Sequence, residues 1–518
     1  MIKCLQCIVL ISSILSVSLF GDRNIGLTKE IDNMRDSIVC SVDSSFGKTE
    51  ENKEAAEGQI TLGYTDGFWV EEDETVYLLA TYGCEALEYK RGEIRRIPLL
   101  ESILPADIVS YNNKLYIFDD LLSEVQCYTM QGELVFRIAV ELKEDYVKHL
   151  VVTTQGVAVR TYGGQELLVE EETGALTVQS YEAVAAPKLD GYDFAEYLAT
   201  DEDGNIYAVY TKLVNKCSII SGELTLQVHS AEGNYIGQYI LPVKEYVYLP
   251  GTYVQILDNG NIYLMIPTEE TVEVRKIALR EEMESGLASI TETVKIRESD
   301  YIGNTSYRKK VGTACTEVVA LSREEVRERA VAMAEYTWTL KKTHTLISKS
   351  EKGVVLPREI EAIKNKNEDV SSWKVKMTGI PYCWGGFYAL DVGFGGKTFQ
   401  SVIDKKYVAG NINPVGYYKY MTAGLDCSGF VSAALGFTKK QGTSGLNDIG
   451  SKVNSVKKLQ QMDMFVYPGE HVIFFCEWLD DTAVLVAEVA VREGKASVHP
   501  KSLNELVVNS KYQMRSPW

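Results

Sequence analysis

The sequence predicts a multidomain chain, with an N-terminal all-β domain of repeated units followed by a C-terminal α+β domain. Three observations lead there. A polar turn followed by two or three apolar residues recurs five times between residues 58 and 280. Near residue 316 the pattern switches to helical spacing. Beyond residue 372, short apolar runs at strand length surround one apolar helix that begins at Cys427.

Length and composition set the frame. A chain of 518 residues has room for two to four domains of roughly 100–200 residues each. With 45% hydrophobic and 24% charged residues it is globular, neither disordered nor fibrous. Its net charge of −19 argues against a nucleic-acid binder, which needs a basic footprint to neutralise phosphates. Tyr is heavy at 31 against 14 Phe, and with 40 Gly and only 12 Pro the composition leans towards β structure with many turns.

The N-terminus reads as an export signal over residues 1–21. Lys3 forms a thin positive region, an apolar stretch runs from Ile8 to Phe20, and Ser16, Ser18 and Gly21 supply small residues for cleavage. No other apolar run is long enough to span a bilayer, so the expectation is a secreted or cell-envelope protein without an integral membrane domain. Residues 22–57 are polar and read as a linker. Cys40, Cys84, Cys127, Cys217, Cys315, Cys383, Cys427 and Cys476 remain after the leader, scattered and without metal-ligand spacing. No metal site and no cofactor are expected, and most of these thiols read as small buried residues.

The repeat spans 58–315. Its last residues are Tyr77, Tyr116, Ala158, Tyr207 and Tyr263, so the spacing lengthens from 39 to 56. A second turn glycine follows at Gly92, Gly132, Gly174 and Gly233. Each unit then reads as strand, turn, strand, turn, strand, the size of a propeller blade, and one blade cannot bury both faces without neighbours. The domain loosely resembles a β-propeller of unknown ligand. Residues 285–315 or the arm near 58 are candidates for a sixth blade, and the domain is expected to fold without the rest of the chain.

Residues 316–371 read as a helical linker. Ser322 and Glu325 make an S-x-x-E cap, Val326, Ala330 and Met333 share a face, and the helix is expected to run to about Lys342. A charged stretch follows at 349–369.

The chemistry concentrates in 372–518. In Asp426-Cys427-Ser428-Gly429-Phe430-Val431, Cys427 opens an apolar helix that Gly436 stops. Free N–H groups and the dipole at that end stabilise a thiolate and can hold an oxyanion. His471 begins the apolar run Val472-Ile473-Phe474-Phe475, from whose mouth it can act as a base. Glu488 is the one polar residue between Ala483 and Val491, so it needs a buried partner, and an imidazolium supplies one. His499, just before Pro500, competes with Glu488 for the third role.

These motifs resemble the NlpC family of papain-like cysteine peptidases of bacterial cell walls. Pro381-Tyr382-Cys383-Trp384-Gly385-Gly386 looks like the family's Tyr-x-Trp-Gly-Gly motif, and Asp426 to Val431 matches its nucleophile motif. Asp463-Met464-Phe465 stands where Gly-Asp-Leu is usual, and His471-Val472 matches the His strand. The resemblance implies a papain-like fold, Cys427 as nucleophile, His471 as base and Glu488 as third member. It also implies Tyr382, Trp384, Asp426 and Ser428 at the substrate, with the Ser428 N–H helping to bind the oxyanion. The implied substrate is a peptidoglycan stem peptide, a muropeptide, cut next to γ-D-glutamyl. Two departures bear on substrate: the insertion from Phe387 to Leu425, and Glu488 in place of the usual His, Asn or Gln. An amidase or acyltransferase of the same fold, and a surface-binding protein with an inert Cys domain, are the alternatives.

Overall fold

The computed structural model describes residues 34–43, 65–279 and 319–518, apart from 82, 144, 172, 180–185, 214–219, 247, 269–270, 348–352, 414–417 and 510. The expected leader, most of the 22–57 segment and residues 285–315 lie outside the described residues.

The N-terminal unit is β-propeller-like. Four-stranded antiparallel sheets form from residues 68–98, 105–139, 147–179 and 194–240. A fifth joins Val254–Ile256, Ile262–Pro267 and Thr271–Leu279 to the strand Met34–Asp43. That N-terminal strand pairs from Met34 opposite Leu279 to Asp43 opposite Thr271. The 22–57 segment is therefore not all linker. Part of it completes the fifth blade and satisfies the backbone edge that Thr271–Leu279 would otherwise expose, while both sixth-blade candidates, 285–315 and the arm near 58, lie outside the described residues.

The repeat marks the second strand of every blade. Tyr77, Tyr116, Ala158, Tyr207 and Tyr263 lie in Val76–Ala80, Lys114–Asp119, Gly156–Thr161, Ile206–Leu213 and Ile262–Pro267. Before the second of these, Asn112 and Asn113 have φ of 50° and 59°, the geometry of a tight hairpin whose twist matches its strands. Each blade carries one strand more than the three expected. The segment between the polar turn and the turn glycine is two strands where one is expected, as in Val76–Ala80 with Glu85–Lys90 and Lys114–Asp119 with Glu124–Thr129.

Among the described residues, four of the five seams between blades are well knit. Hydrophobic clusters join blades one and two, two and three, four and five, and five and one. The Gln255 side chain accepts from Val70 N at 2.6 Å and donates to Val70 O at 2.9 Å. Asp107 accepts from Leu150 N at 2.7 Å and from Thr252 Oγ1 at 2.9 Å. Among the described residues no such cluster joins blades three and four.

The C-terminal unit begins with a helix, Arg323–Ala334, whose Ser322–Glu325 capping box is formed. It stops at Ala334 instead of reaching Lys342. Thr337–Lys341 is a strand paired with Lys374–Thr378, because Trp338 and Leu340 alternate with exposed Thr337 and Thr339. Val326, Ala330 and Met333 join the same core as the Cys427 helix, so residues 323–341 belong to the C-terminal unit and are not a linker.

Its main sheet is antiparallel, in the order Ser451–Lys452, Gln513–Ser516, Met464–Tyr467, His471–Trp478, Ala483–Val489, Ala496–Ser502. Val472, Phe474, Leu485 and Ala487 face the core of the Cys427 helix. Ile473, Phe475, Val484 and Val486 face the other way and share a core with Phe194, Leu226 and Leu264 of blades four and five. The strand alternation thus welds the two units together. Polar ties line the join: Thr211 Oγ1 donates to Asn504 Oδ1 at 2.6 Å, and half-buried Arg492 lies 3.4 Å from buried Asp66. Blades four and five of the propeller-like unit thus cover one face of this sheet. Among the described residues no helix is long and apolar enough to cross a membrane.

Candidate active site

The helix Cys427–Ala434 is buried over all eight residues. Asp426 starts it. Its Oδ1 accepts from Gly429 N at 2.7 Å and from Ser428 Oγ at 3.1 Å, and its Oδ2 accepts from Gly385 N at 3.1 Å and from Lys440. Both oxygens therefore lock the helix start onto the Tyr382–Gly386 segment. Gly386 and Gly429 make that contact possible, for a Cβ on Gly429 would stand 2.3 Å from Gly386 O.

Tyr382 is buried in this core, and its N donates to Gly494 O at 2.7 Å. Burial, then the neighbouring Cys427 and Asp426, push its hydroxyl well above the usual range. Trp384 N donates to Asn411 O at 2.7 Å, and its half-buried ring packs against the same core. The insertion folds as an aromatic cluster in which Tyr388 and Tyr418 both contact Phe394.

Cys427 is 8% exposed, and its Sγ lies 3.8 Å from the carbonyl of Glu470, the residue before His471. The His471 ring bridges two strands and the helix. Its Nε2 is hydrogen-bonded to Glu488 Oε2, and the ring also interacts with the Cys427 side chain. Burial alone lowers an imidazole, but Cys427 first and Glu488 second raise His471 to about 10. Both neighbours favour the charged form of the ring, which is held as an imidazolium against the ionised Glu488 carboxylate.

Glu488 is 1% exposed and yet ionised. Burial opposes its charge, but Lys501 first, then His471 and His499, hold it well below the usual carboxylate range. Its Oε1 lies 3.1 Å from His499 Nε2 and 3.3 Å from Lys501 Nζ. His499 sits on the edge strand Ala496–Ser502 and meets Glu488, while His471 takes the other carboxylate oxygen. Lys501 and Lys440 are the charged residues that sequence reasoning missed. The two-residue spacing of His499 and Lys501 on one strand was the available signal, since it puts both on the face that carries Glu488.

Cys427, His471 and Glu488 thus form a chain of contacts at a helix N-terminus, with Tyr382, Asp426 and Ser428 beside it. A nucleophile, a charged imidazole and an orienting carboxylate in that order can carry out acyl transfer. Among the described residues no group of His, Cys, Asp or Glu side chains is arranged to hold a metal ion.

No family model matches the chain, and no curated protein matches it. Solved structures do. A streptogramin B lyase matches at 11% identity with a TM-score of 0.22, over 42% of this chain and 65% of that one. Virginiamycin B lyase from Staphylococcus aureus matches at 8% identity with a TM-score of 0.27, over 48% of this chain and 99% of that one. A member of the DUF4221 family from Bacteroides vulgatus matches at 11% identity with a TM-score of 0.31, over 48% and 99%. No activity is carried over from them.

Proposed function

We propose that the C-terminal unit is a thiol hydrolase acting on amide bonds, and that its substrates are peptidoglycan stem peptides. The observation that carries the chemistry is the His471 ring set between Cys427 and Glu488. The substrate class rests on the resemblance of Tyr382–Gly386, Asp426–Val431 and His471 to the NlpC peptidases.

In this reading the Cys427 thiolate attacks the amide carbon. The oxyanion forms at the first turn of the helix, where the Ser428 N–H points outward along the dipole. His471 gives its proton to the leaving amine, and the amine departs as the thioester forms. Water then attacks the thioester, His471 takes its proton, and the acid leaves Cys427 free. Glu488 touches no reacting atom; it orients the ring and stabilises its charge. With the leader expected over residues 1–21, this enzyme works in the cell envelope or outside the cell.

The test is mass spectrometry of purified muropeptides incubated with the full chain. Cleavage at the γ-D-glutamyl bond that disappears in Cys427→Ala supports the reading. Intact muropeptides with the wild-type chain, under reducing conditions, exclude the substrate class. Alkylation of Cys427 at pH 6 tests the chemistry separately.

A further inference from the structure

The seam that lacks a hydrophobic cluster, between blades three and four, opens into a cavity of about 1100 Å³. Residues Trp478–Thr482 of the C-terminal unit line its third side. Ligand sites favour such junctions and have comparable volumes. His471 and Trp478 begin and end one strand, so at about 3.3 Å per residue the cavity lies about 23 Å from the Cys427 site.

The polar groups here are preorganised. Lys148 Nζ stands 3.8 Å from both Glu196 Oε1 and Asp480 Oδ2, beyond hydrogen-bonding reach of either. Each carboxylate is anchored by its other oxygen. Glu196 Oε2 accepts from Tyr253 OH at 3.1 Å and from Asn504 Nδ2 at 3.2 Å. Asp480 Oδ1 accepts from Thr482 N and Ala483 N, both at 2.7 Å. Two acceptors and a donor are thus fixed in position with capacity still unspent on one another. Aromatic rings line the cavity as well: Trp478, Tyr162 under Lys148 at 5.6 Å, and Phe194 under Lys457 at 5.8 Å.

We propose that this cavity binds a pyranose oligosaccharide. Charges of alternating sign a few ångströms apart favour neither an anion nor a cation. A sugar hydroxyl both donates and accepts, so neighbouring hydroxyls can serve Glu196, Lys148 and Asp480 in turn. The C–H face of a pyranose ring matches an aromatic face. The proposal does not rest on thiol chemistry at Cys427, because the two sites share no side chain.

The test is isothermal titration of the full-length Cys427→Ala chain with the β-1,4-linked tetramer of N-acetylglucosamine and with cellotetraose. At least one should bind, and both Lys148→Met and Glu196→Gln should weaken it at least tenfold without lowering the melting temperature. If Lys148→Met proves unstable, Glu196→Gln decides. Failure of both saccharides, unchanged affinity in a stably folded variant, or binding of an acidic tetrapeptide in their place would overturn the proposal.

Discussion

Gly429 in the helix Cys427–Ala434 lies against the carbonyl of Gly386, so closely that a methyl group at its Cα would come within 2.3 Å of that oxygen. Two motifs separated by some forty residues are thus one packing unit. Gly429→Ala must push backbone from backbone, which side-chain rotation cannot relieve. The expected cost is about 1–3 kcal/mol, read by denaturant melts. Slower alkylation of Cys427 should accompany it, because the helix start shifts.

Cys427 should be the most reactive of the described thiols. Burial pushes Cys127 up to about 11 and both Cys383 and Cys476 up to about 12, and it raises Cys84 as well. Only Cys427 has an imidazolium beside it. Peptide mapping after brief iodoacetamide treatment at pH 6 should find the label there first. Cys427→Ala should abolish turnover and leave the melting temperature almost unchanged. Retained turnover would sink the thiol mechanism.

The third position separates by contact. Glu488 bonds His471, whereas His499 and Lys501 meet Glu488. Glu488→Ala should lower kcat by about 10²–10⁴, with Glu488→Gln milder. His499→Ala should stay within a few-fold, since Lys501 still neutralises the carboxylate. Lys501→Met removes the leading cation and should cost up to about 3–5 kcal/mol of stability. If His499→Ala proved more damaging than Glu488→Ala, the roles would have to be exchanged.

The same cluster gives a pH signature. His471 is raised to about 10, so its contribution is fully present below its ordinary value near 6.5 and is lost as pH rises through about 10. Glu488 is lowered, so its contribution is present above the ordinary carboxylate range and is lost only as pH falls through its folded value. Denaturant melts should therefore show greatest stabilisation by the cluster between about pH 4.5 and 6.5. Cys427→Ala removes the largest of the causes that raise His471 against its burial. In that variant the alkaline loss should begin at lower pH.

Neither unit should behave well alone. Residues 319–518 by themselves would expose Ile473, Phe475, Val484 and Val486, which blades four and five now cover. Expressed separately, that fragment is expected to aggregate or to bind a hydrophobic dye, and co-expression with residues 34–279 should rescue it. A monomeric fragment with a sharp melt would refute this.

Much of the scaffold was legible, for identifiable reasons. Turn residues betray themselves because Asn112, Asn113 and Gly92 hold backbone angles that few side chains allow, so the blade rhythm could be read without contacts. The run Val472 to Phe475 announced a strand buried on both faces, but not what buries it, because apolar side chains do not name their partner. The strand Met34–Asp43 gave no signal against its polar surroundings, since an edge strand is specified mainly by the backbone it meets. At the site, Cys427 and His471 carried motif context. Lys501 did not, because a lysine on a strand normally reads as solvent-facing.

The strand Met34–Asp43 also dictates an order of events. Its partner ends at Leu279, so the fifth blade stays incomplete until that residue has emerged from the ribosome. During synthesis the first four blades can form in sequence, while one early strand waits and one late edge stands open. That edge is the place where a second nascent chain could pair by mistake, and the waiting strand is its natural competitor. The fifth blade is completed by hydrogen bonds between the two ends of the propeller-like segment, so loss of that pairing bares the edge again. Anything that tethers Met34–Asp43 in place therefore keeps that edge covered.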